Sequence, residues 1–248
     1  MSSESPVSSE SAGVSLIINR IDGRRAVELV HAEKVAALLF SFDPSSASPQ
    51  SYDAWVIGGA RRQPNRFTAD DLRAMNRTMA ARSPHRAWEE LLDRDLPWLA
   101  ALSLDWDLVL MPDDEWVKAE PVVWDALTAV IGPYRNLSVA TKMLHLKRPF
   151  LIPVCDSFVQ DLLFGKVPSQ VDIAGAAAVG RTLVRHVRGE ARRNLGGLVA
   201  IQRYLSSLGI DRSLVRILDL LLWASHPQAM WHRLPQLVAS WFSDPGRD

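Results

Sequence analysis

Apolar residues recur at helical spacing along most of this chain. Between His31 and Phe42, for example, Val35, Leu38 and Leu39 fall on one face, which predicts an amphipathic helix. The same periodicity, together with capping residues at the starts and Gly beyond some of the ends, predicts further helices. They lie at Thr68–Met79, Ser83–Leu92, Leu96–Leu102, Pro121–Ile131, Val139–Lys147, Asp156–Phe164, Ile173–Arg188, Ala191–Leu208, Ser213–Ala224 and Pro235–Ser243.

Only one region has the pattern of β-strands. Val14–Arg20 and Arg25–Val30 are β-prone and flank Asp22-Gly23, a dipeptide suited to a tight hairpin turn. Residues 1–13 are Ser-rich and are expected to form a flexible tail. The sequence therefore predicts an all-α domain with a small N-terminal β-hairpin.

The composition is that of a folded protein. The 248 residues are 48% hydrophobic, which excludes a disordered chain, and the single Cys155 excludes a disulfide framework or a multi-cysteine zinc site. The start has no apolar run typical of a secretory signal. The most apolar stretch, Leu214–Ala224, is interrupted by Arg216 and Asp219 and is too short to span a bilayer. We therefore expect a cytoplasmic protein with no membrane partner.

The charges are unevenly distributed, although 28 basic and 28 acidic residues balance overall. Residues 81–130 carry eleven acids and four bases, whereas residues 131–205 carry eleven bases and four acids. Either the two opposite blocks neutralise each other at an internal interface, or the 131–205 surface attracts a polyanion.

Motifs of nucleotide and metal chemistry are absent from the sequence. There is no Gly-rich phosphate loop, no HExxH and no GxSxG, and the six His are scattered. The acidic run Asp113-Asp114-Glu115 lacks the spacing of an EF-hand and is typical of a helix start. No metal site and no cofactor are therefore predicted.

The most distinctive segment is YRNLSVATKMLHLKRPFLIPVCDSFV, residues 134–159. A helix ending at Lys147-Arg148 is followed by Pro149 and Pro153, which force an extended crossing because proline excludes the preceding residue from helical geometry. Asp156 then starts the next helix. Its carboxylate is either an N-cap that accepts backbone N–H bonds or a pre-positioned catalytic or binding group, and one side chain can do both.

This segment, with FTADDLRAMN (67–76) and SLVRILDLLLW (213–223), resembles an uncharacterised bacterial family, a domain of unknown function. More distantly, the pattern is similar to helix-hairpin-helix DNA glycosylases, in which a Gly-x-Gly hairpin binds a DNA phosphate and a catalytic aspartate starts the helix after the crossing. On that pattern the aspartate falls on Asp156. The hairpin falls on Tyr134-Arg135-Asn136, which lacks both glycines, and the lysine nucleophile of some members falls on Ser138, so no lyase is implied.

The glycosylase resemblance implies a two-lobed fold, with residues 14–65 and 206–248 in one lobe and residues 66–205 in a central helical lobe. It also implies a base-excision or DNA-binding role, with Asp156 as the catalytic carboxylate of a monofunctional N-glycosylase. The predicted contacts to nucleic acid come from the 131–205 surface: Lys142, His145, Lys147, Arg148, Arg181, Arg185 and Arg188.

Alternatives to DNA binding exist for these cations. Arg181, Arg185 and Arg188 form a row at i, i+4 and i+7, where like charges repel, so the row needs a reason. Phosphate contact is one, docking against the acidic block 81–130 is another, and a solvated face is a third. Because the hairpin glycines are missing, the alternative function is a non-enzymatic helical binding or regulatory module of the same fold.

Overall fold

The computed structural model describes residues 13–41, 53, 63–79, 81–132, 135–166, 172–229 and 233–243. Most of these residues are helical, and a two-stranded antiparallel sheet lies near the N-terminus. The predominantly helical fold with a small hairpin is thus confirmed. The tail predicted for residues 1–13 lies outside the described residues, except for Gly13.

The hairpin consists of β1 (Leu16–Asn19) and β2 (Arg25–Leu29). Gly23 adopts a φ of +83° in the turn, a conformation that glycine reaches without steric cost. Ile18 and Val27 lie opposite each other and are buried in the core, because alternate side chains of a strand point to the same face. The predicted hairpin is confirmed.

Side chains from the helical part of the chain cover the outer edge of β1. The Asn194 amide donates from Nδ2 to the carbonyl of Ile17 (2.9 Å) and accepts the N–H of Ile17 at Oδ1 (3.2 Å). Glu190 accepts the N–H of Asn19 at 3.1 Å. The backbone groups that β1 turns away from β2 are therefore bonded.

Ten α-helices fall within the described residues, and most of the predicted ones are present. They are α1 (Ala32–Ser41), α2 (Ala69–Thr78), α3 (Pro97–Ala101), α4 (Asp113–Val130), α5 (Leu137–Lys147), α6 (Ser157–Phe164), α7 (Ile173–Arg193), α8 (Leu195–Ser207), α9 (Leu214–Ser225) and α10 (Leu234–Ser243). Side-chain caps explain several starts: Thr68 forms a capping box with Asp71 before α2, and Ser213 accepts the N–H of Arg216 before α9.

Three sequence-based boundaries are wrong. The break predicted between Arg188 and Ala191 lies at Asn194, because α7 continues to Arg193. The helix predicted at Ser83–Leu92 is only a 3₁₀ turn, His85–Ala87, because the chain bends back at Asp93, where φ is +56°, and Leu92 pairs with Phe67. Helix α4 starts at Asp113 rather than at Pro121, so its acidic first turn is a helix start and Pro121 lies inside the helix. The interpretation of the acidic run is therefore confirmed.

The helices enclose a single core. Helix α1 packs against α8, α9 and α10, and α4 packs against α7. Buried apolar side chains from Leu16 to Val238 form one connected cluster. The predicted division into two lobes stays a prediction.

In the part of the chain that is described, no helix has both the length and the apolar character needed to cross a membrane.

Candidate functional site

The candidate site is built around the crossing, residues 149–155, which connects α5 to α6. Its first part is a turn and not the extended segment predicted, because the N–H groups of Leu151 and Ile152 both donate to the carbonyl of Arg148, at 3.0 and 2.9 Å. Thr141 of α5 accepts the N–H of Cys155 at Oγ1 (3.1 Å), and Asp219 of α9 accepts the N–H of Val154 at Oδ2 (3.3 Å). Ser213, the N-cap of α9, donates from its hydroxyl to the carbonyl of Pro149 (2.8 Å). Side chains thus bond backbone groups of the crossing that lie outside any helix or sheet.

His145 of α5 also holds the crossing. Its Nδ1 lies 2.6 Å from the carbonyl oxygen of Ile152, and the ring is fully buried. Burial, aided by the positive charge of Arg216, lowers the pKa of His145 to about 3, so the imidazole is neutral near pH 7. Since a carbonyl only accepts, Nδ1 carries the proton. This histidine is a structural donor inside the core and does not reach a nucleic acid.

A buried ionic cluster lies beside this histidine. Arg216 donates to Asp219 (Nη1–Oδ1, 2.8 Å) and to Asp53 (Nε–Oδ1, 2.7 Å), and Arg212 pairs with Asp53 at 3.1 Å. Burial raises the pKa of Asp219 to about 7, although the Arg216 guanidinium opposes this rise. The sequence signal for the cluster was present: Arg216 and Asp219 interrupt the most apolar stretch of the chain at i, i+3.

Lys147 and Arg148 are directed inwards as well. Lys147 Nζ lies 2.6 Å from Asp71 Oδ2, and both side chains are almost fully buried. The Arg148 guanidinium donates to the side-chain amide oxygen of Asn65 and to four backbone carbonyls. These carbonyls belong to Pro64, Leu99, Leu102 and Lys147. Burial lowers the pKa of Arg148 to about 10. Both cations are therefore buried and bonded within the fold, and their predicted contact to DNA stays a prediction.

Asp156 caps α6. Its Oδ1 accepts the N–H groups of Phe158 and Val159, each at 3.0 Å, and its side chain is half-buried. The predicted N-cap is confirmed, whereas the predicted catalytic role stays a prediction. The buried Lys142 donates to the carbonyl of Met79 at 3.0 Å. Burial lowers the pKa of Lys142, and the negative charge of Asp156 acts against this shift.

The arginine row of α7 faces the acidic side chains of α4. Arg185 pairs with Glu120 (Nη2–Oε2, 3.0 Å), which raises the pKa of the arginine through this hydrogen bond. Arg188 pairs with Asp113 at 2.8 Å, and its hydrogen bond, with the charge of Arg192, lowers the pKa of that carboxyl. At the α4–α7 contact, neutralisation of the two opposite charge blocks is therefore confirmed.

Indole rings complete the environment of the row. Trp124 lies beneath the guanidinium carbons of Arg181 (5.7 Å) and Arg185 (5.3 Å), and Trp116 beneath that of Arg188 (5.2 Å). Cation–π contacts of this kind offset the like-charge repulsion along the helix. Within the described ranges Arg181 is exposed and has no carboxylate partner, so it alone of the row keeps a charge directed to solvent.

In the segment on which the glycosylase hairpin falls, Tyr134-Arg135-Asn136, the Arg135 amide is not free. The backbone N–H groups of Gly132 and Arg135 donate to each other's carbonyls at 3.1 and 2.9 Å, and Tyr134 lies outside the described residues. The Arg135 guanidinium is buried, donates to the carbonyl of Val130 at 2.7 Å and pairs with Glu90. A phosphate would therefore not find these two amides vacant.

The described residues contain no group of three or more side chains able to hold a metal ion. The comparisons with known proteins give one match: the model of a family of unknown function (DUF6308) matches residues 31–226. Neither the curated proteins nor the solved structures gave a match. The matched range includes the crossing, the buried ionic cluster and the arginine row.

Proposed function

The chain belongs to the family of unknown function DUF6308, and from its own contacts we propose that it is a non-enzymatic helical module that binds or regulates another protein. One observation carries this proposal: most of the cations predicted to contact DNA are used inside the protein. Of the seven predicted contacts, Lys142, His145, Lys147, Arg148 and Arg188 are all buried.

Affinity for nucleic acid depends on cations that reach phosphates and release their counterions. A cation that already holds a carbonyl or a carboxylate in the core would have to break that contact first, at the desolvation cost of a buried charge. Arg185 is exposed but shares its charge with Glu120. Among the seven predicted contacts, Arg181 is then the one exposed cation without a carboxylate partner in the described residues, and one cation is too little for a DNA-binding surface there.

The distinctive KRP segment has a structural explanation under this proposal. Lys147, Arg148 and His145 supply ion pairs and donors to the backbone around the crossing, which is the work of a scaffold. Such polar networks fix one arrangement of helices when every member is satisfied. A rigid scaffold is what a binding module needs in order to present a fixed surface.

DNA binding tests the proposal directly. We expect labelled single-stranded and duplex DNA to show no salt-dependent binding in fluorescence anisotropy at low salt. Arg181→Ala with Arg185→Ala should leave the signal unchanged, and Asp22→Asn serves as an exposed control far from the row in sequence. Binding that weakens steeply with salt and is lost in the arginine variant would overturn the proposal.

A second candidate is the N-glycosidic hydrolase, and one observation favours it. The Asp156 carboxylate is fixed by two N–H bonds through Oδ1 and stays half-exposed. In such an enzyme it would stabilise an oxocarbenium-like sugar or orient water after the target base is flipped out.

Asp156→Asn separates the two candidates, because asparagine is nearly as good an N-cap but carries no charge. Base release by the wild-type chain, lost in Asp156→Asn at unchanged thermal stability, would favour the hydrolase. No base release from a panel of damaged and mismatched duplexes favours the binding module.

A further inference from the structure

Half of the large hydrophobic side chains that are exposed in the described residues lie in two segments joined by a backbone hydrogen bond. These four are Leu104, Leu110, Val117 and Phe150, with exposed fractions of 55, 58, 68 and 47%. Three of them come from a loop and the first turns of α4, and the fourth follows the KRP segment. Together with the acids around them, we call them the apolar–acidic surface.

One backbone contact joins the two segments that carry these side chains. The N–H of Leu108 donates to the carbonyl of Phe150 at 3.0 Å, so Phe150 lies beside the loop that carries Leu104 and Leu110. Helix α4 starts three residues after Leu110, and Val117 is one turn into it. The four exposed side chains therefore come from segments that are neighbours in the fold or along the chain, which is where a docking surface is sought.

The loop is held in place from beneath. Asp107 Oδ1 accepts the N–H groups of Val109 (2.8 Å) and Leu110 (2.9 Å), which fixes the turn. Arg188 and Arg192 of α7 both donate to the carbonyl of Met111, at 2.8 and 2.9 Å. The exposed side chains therefore extend from a backbone with little freedom left, so binding costs little ordering entropy.

Acidic residues accompany three of the four apolar side chains along the chain. Asp105, Asp114 and Glu115 are exposed, and no ion pair joins them to a cation in the described part of the chain. Residues 104–118 carry five acids and one base, Lys118. An exposed apolar group within an anionic rim is complementary to a segment that carries apolar side chains on one face and cations beside them.

We propose that the apolar–acidic surface docks a basic amphipathic helix of a partner protein. The proposal rests on the binding-module function above and names the class of partner. The apolar face of the helix covers Leu104, Leu110, Val117 and Phe150, and its Lys or Arg side chains pair with Asp114 and Glu115 at the rim.

The probe is a synthetic fluorescent amphipathic helix of Leu and Lys, compared with the same peptide in which Glu replaces Lys. Affinity is measured by anisotropy for the wild-type chain, for Leu110→Ser with Val117→Ser, and for Asp114→Asn with Glu115→Gln. The matched control is Ile173→Ser with Leu208→Ser, which removes two side chains exposed to a similar degree elsewhere.

We expect the Lys peptide to bind the wild-type chain and the control pair equally. Affinity should fall about tenfold in Leu110→Ser with Val117→Ser, a loss typical of truncated interface anchors. The acid-neutralised variant should lose affinity and most of its salt dependence, and the Glu peptide should not bind. Circular dichroism checks that each variant is folded.

Two results would overturn the inference. One is equal loss of affinity in the control pair, or no peptide binding at all. The other is a wild-type dimer in sedimentation that Leu110→Ser with Val117→Ser converts to a monomer, since the occupant is then a second copy. Salt-dependent DNA binding or base release in the same preparations overturns the binding module itself, so the two failures are distinguishable.

Discussion

His145 Nδ1 lies 4.0 Å from Asp219 Oδ2, and both side chains are almost fully buried. Burial lowers the pKa of the imidazole from 6.5 to about 3 and raises the pKa of the carboxyl from 3.8 to about 7. Between about pH 4 and 6.5 the pair therefore holds one proton in either state, on His145 when unfolded and on Asp219 when folded. Folding transfers that proton, so the pair adds little pH dependence in this range.

We expect single substitutions to change the pH dependence of the unfolding free energy with opposite slopes. The remaining partner stays buried, so its pKa stays shifted. Asp219→Asn leaves His145, whose unfolded form binds more protons, so its contribution to stability rises from about pH 3 to 6.5. His145→Gln leaves Asp219, whose folded form binds more protons, so its contribution falls as pH rises from about 4 to 7.

Urea unfolding across this pH series measures both effects as differences from the wild-type chain. Each slope can approach about 1.4 kcal/mol per pH unit, the limit for one proton. Slopes of the same sign in the two variants would contradict the proton transfer.

The buried pair Lys147–Asp71 should be costly to break from one side. Lys147→Met removes the buried ion pair of the Asp71 carboxylate, and we expect a loss of about 3–5 kcal/mol in the free energy of unfolding. Adding Asp71→Asn should recover part of this loss. The exposed pair Arg73–Asp70 on the same helix provides the control, since Arg73→Met should cost at most about 0.5 kcal/mol. A Lys147→Met loss as small as the control would show that the core adapts to the unpaired acid.

Substitutions in the arginine row should differ in their effect on stability according to how buried each arginine is. Arg188→Met removes donors to the carbonyl of Met111 and to Asp113, and we expect a loss of about 1–3 kcal/mol in the free energy of unfolding. Arg181→Met removes an exposed charge and a single indole contact, so its effect should stay within about 0.5 kcal/mol. Denaturant unfolding of both variants gives the comparison, and equal losses would mean that burial does not govern the row.

Cys155 should report on unfolding. Burial, reinforced by the charges of Asp219 and Asp156, raises the pKa of the thiol well above its ordinary range, so the reactive thiolate is scarce in the folded protein. We expect Ellman's reagent to label the native chain only as fast as it opens, and to find one thiol per chain in strong denaturant. Rapid, complete labelling of the native protein would show that the crossing is loosely held.

The sequence predicted the features that depend on neighbours along the chain. Pro153 disfavours helix before Asp156, so the irregular segment there and the cap at Asp156 follow from local rules. Pro149 instead lies in a turn closed on the carbonyl of Arg148, which the sequence did not predict. The helix expected from Ser83 is wrong because local apolar spacing did not reveal two constraints. The positive φ of Asp93 and the pairing of Leu92 with Phe67 are set by tertiary packing.

The destinations of the cations could not be predicted in the same way. Spacing shows that Lys147 and Arg148 end a helix, but not that Asp71 and the carbonyl of Leu99 meet them in the core. Those contacts join residues far apart in sequence, and one sequence carries no record of them. For the arginine row, the opposite charge blocks did indicate the partner. The net charge of a block can be read from the sequence even when the individual ion pairs cannot.

The Asn194 amide across the outer edge of β1 also affects how copies of the protein meet. An uncovered strand edge offers unpaired amides that can recruit strands from other molecules and start aggregation. Here the outward backbone groups of Ile17 and Asn19 are already hydrogen-bonded to side chains at the junction of α7 and α8. On that side the sheet cannot grow, so protection against intermolecular strand addition is supplied by a helix junction distant in sequence.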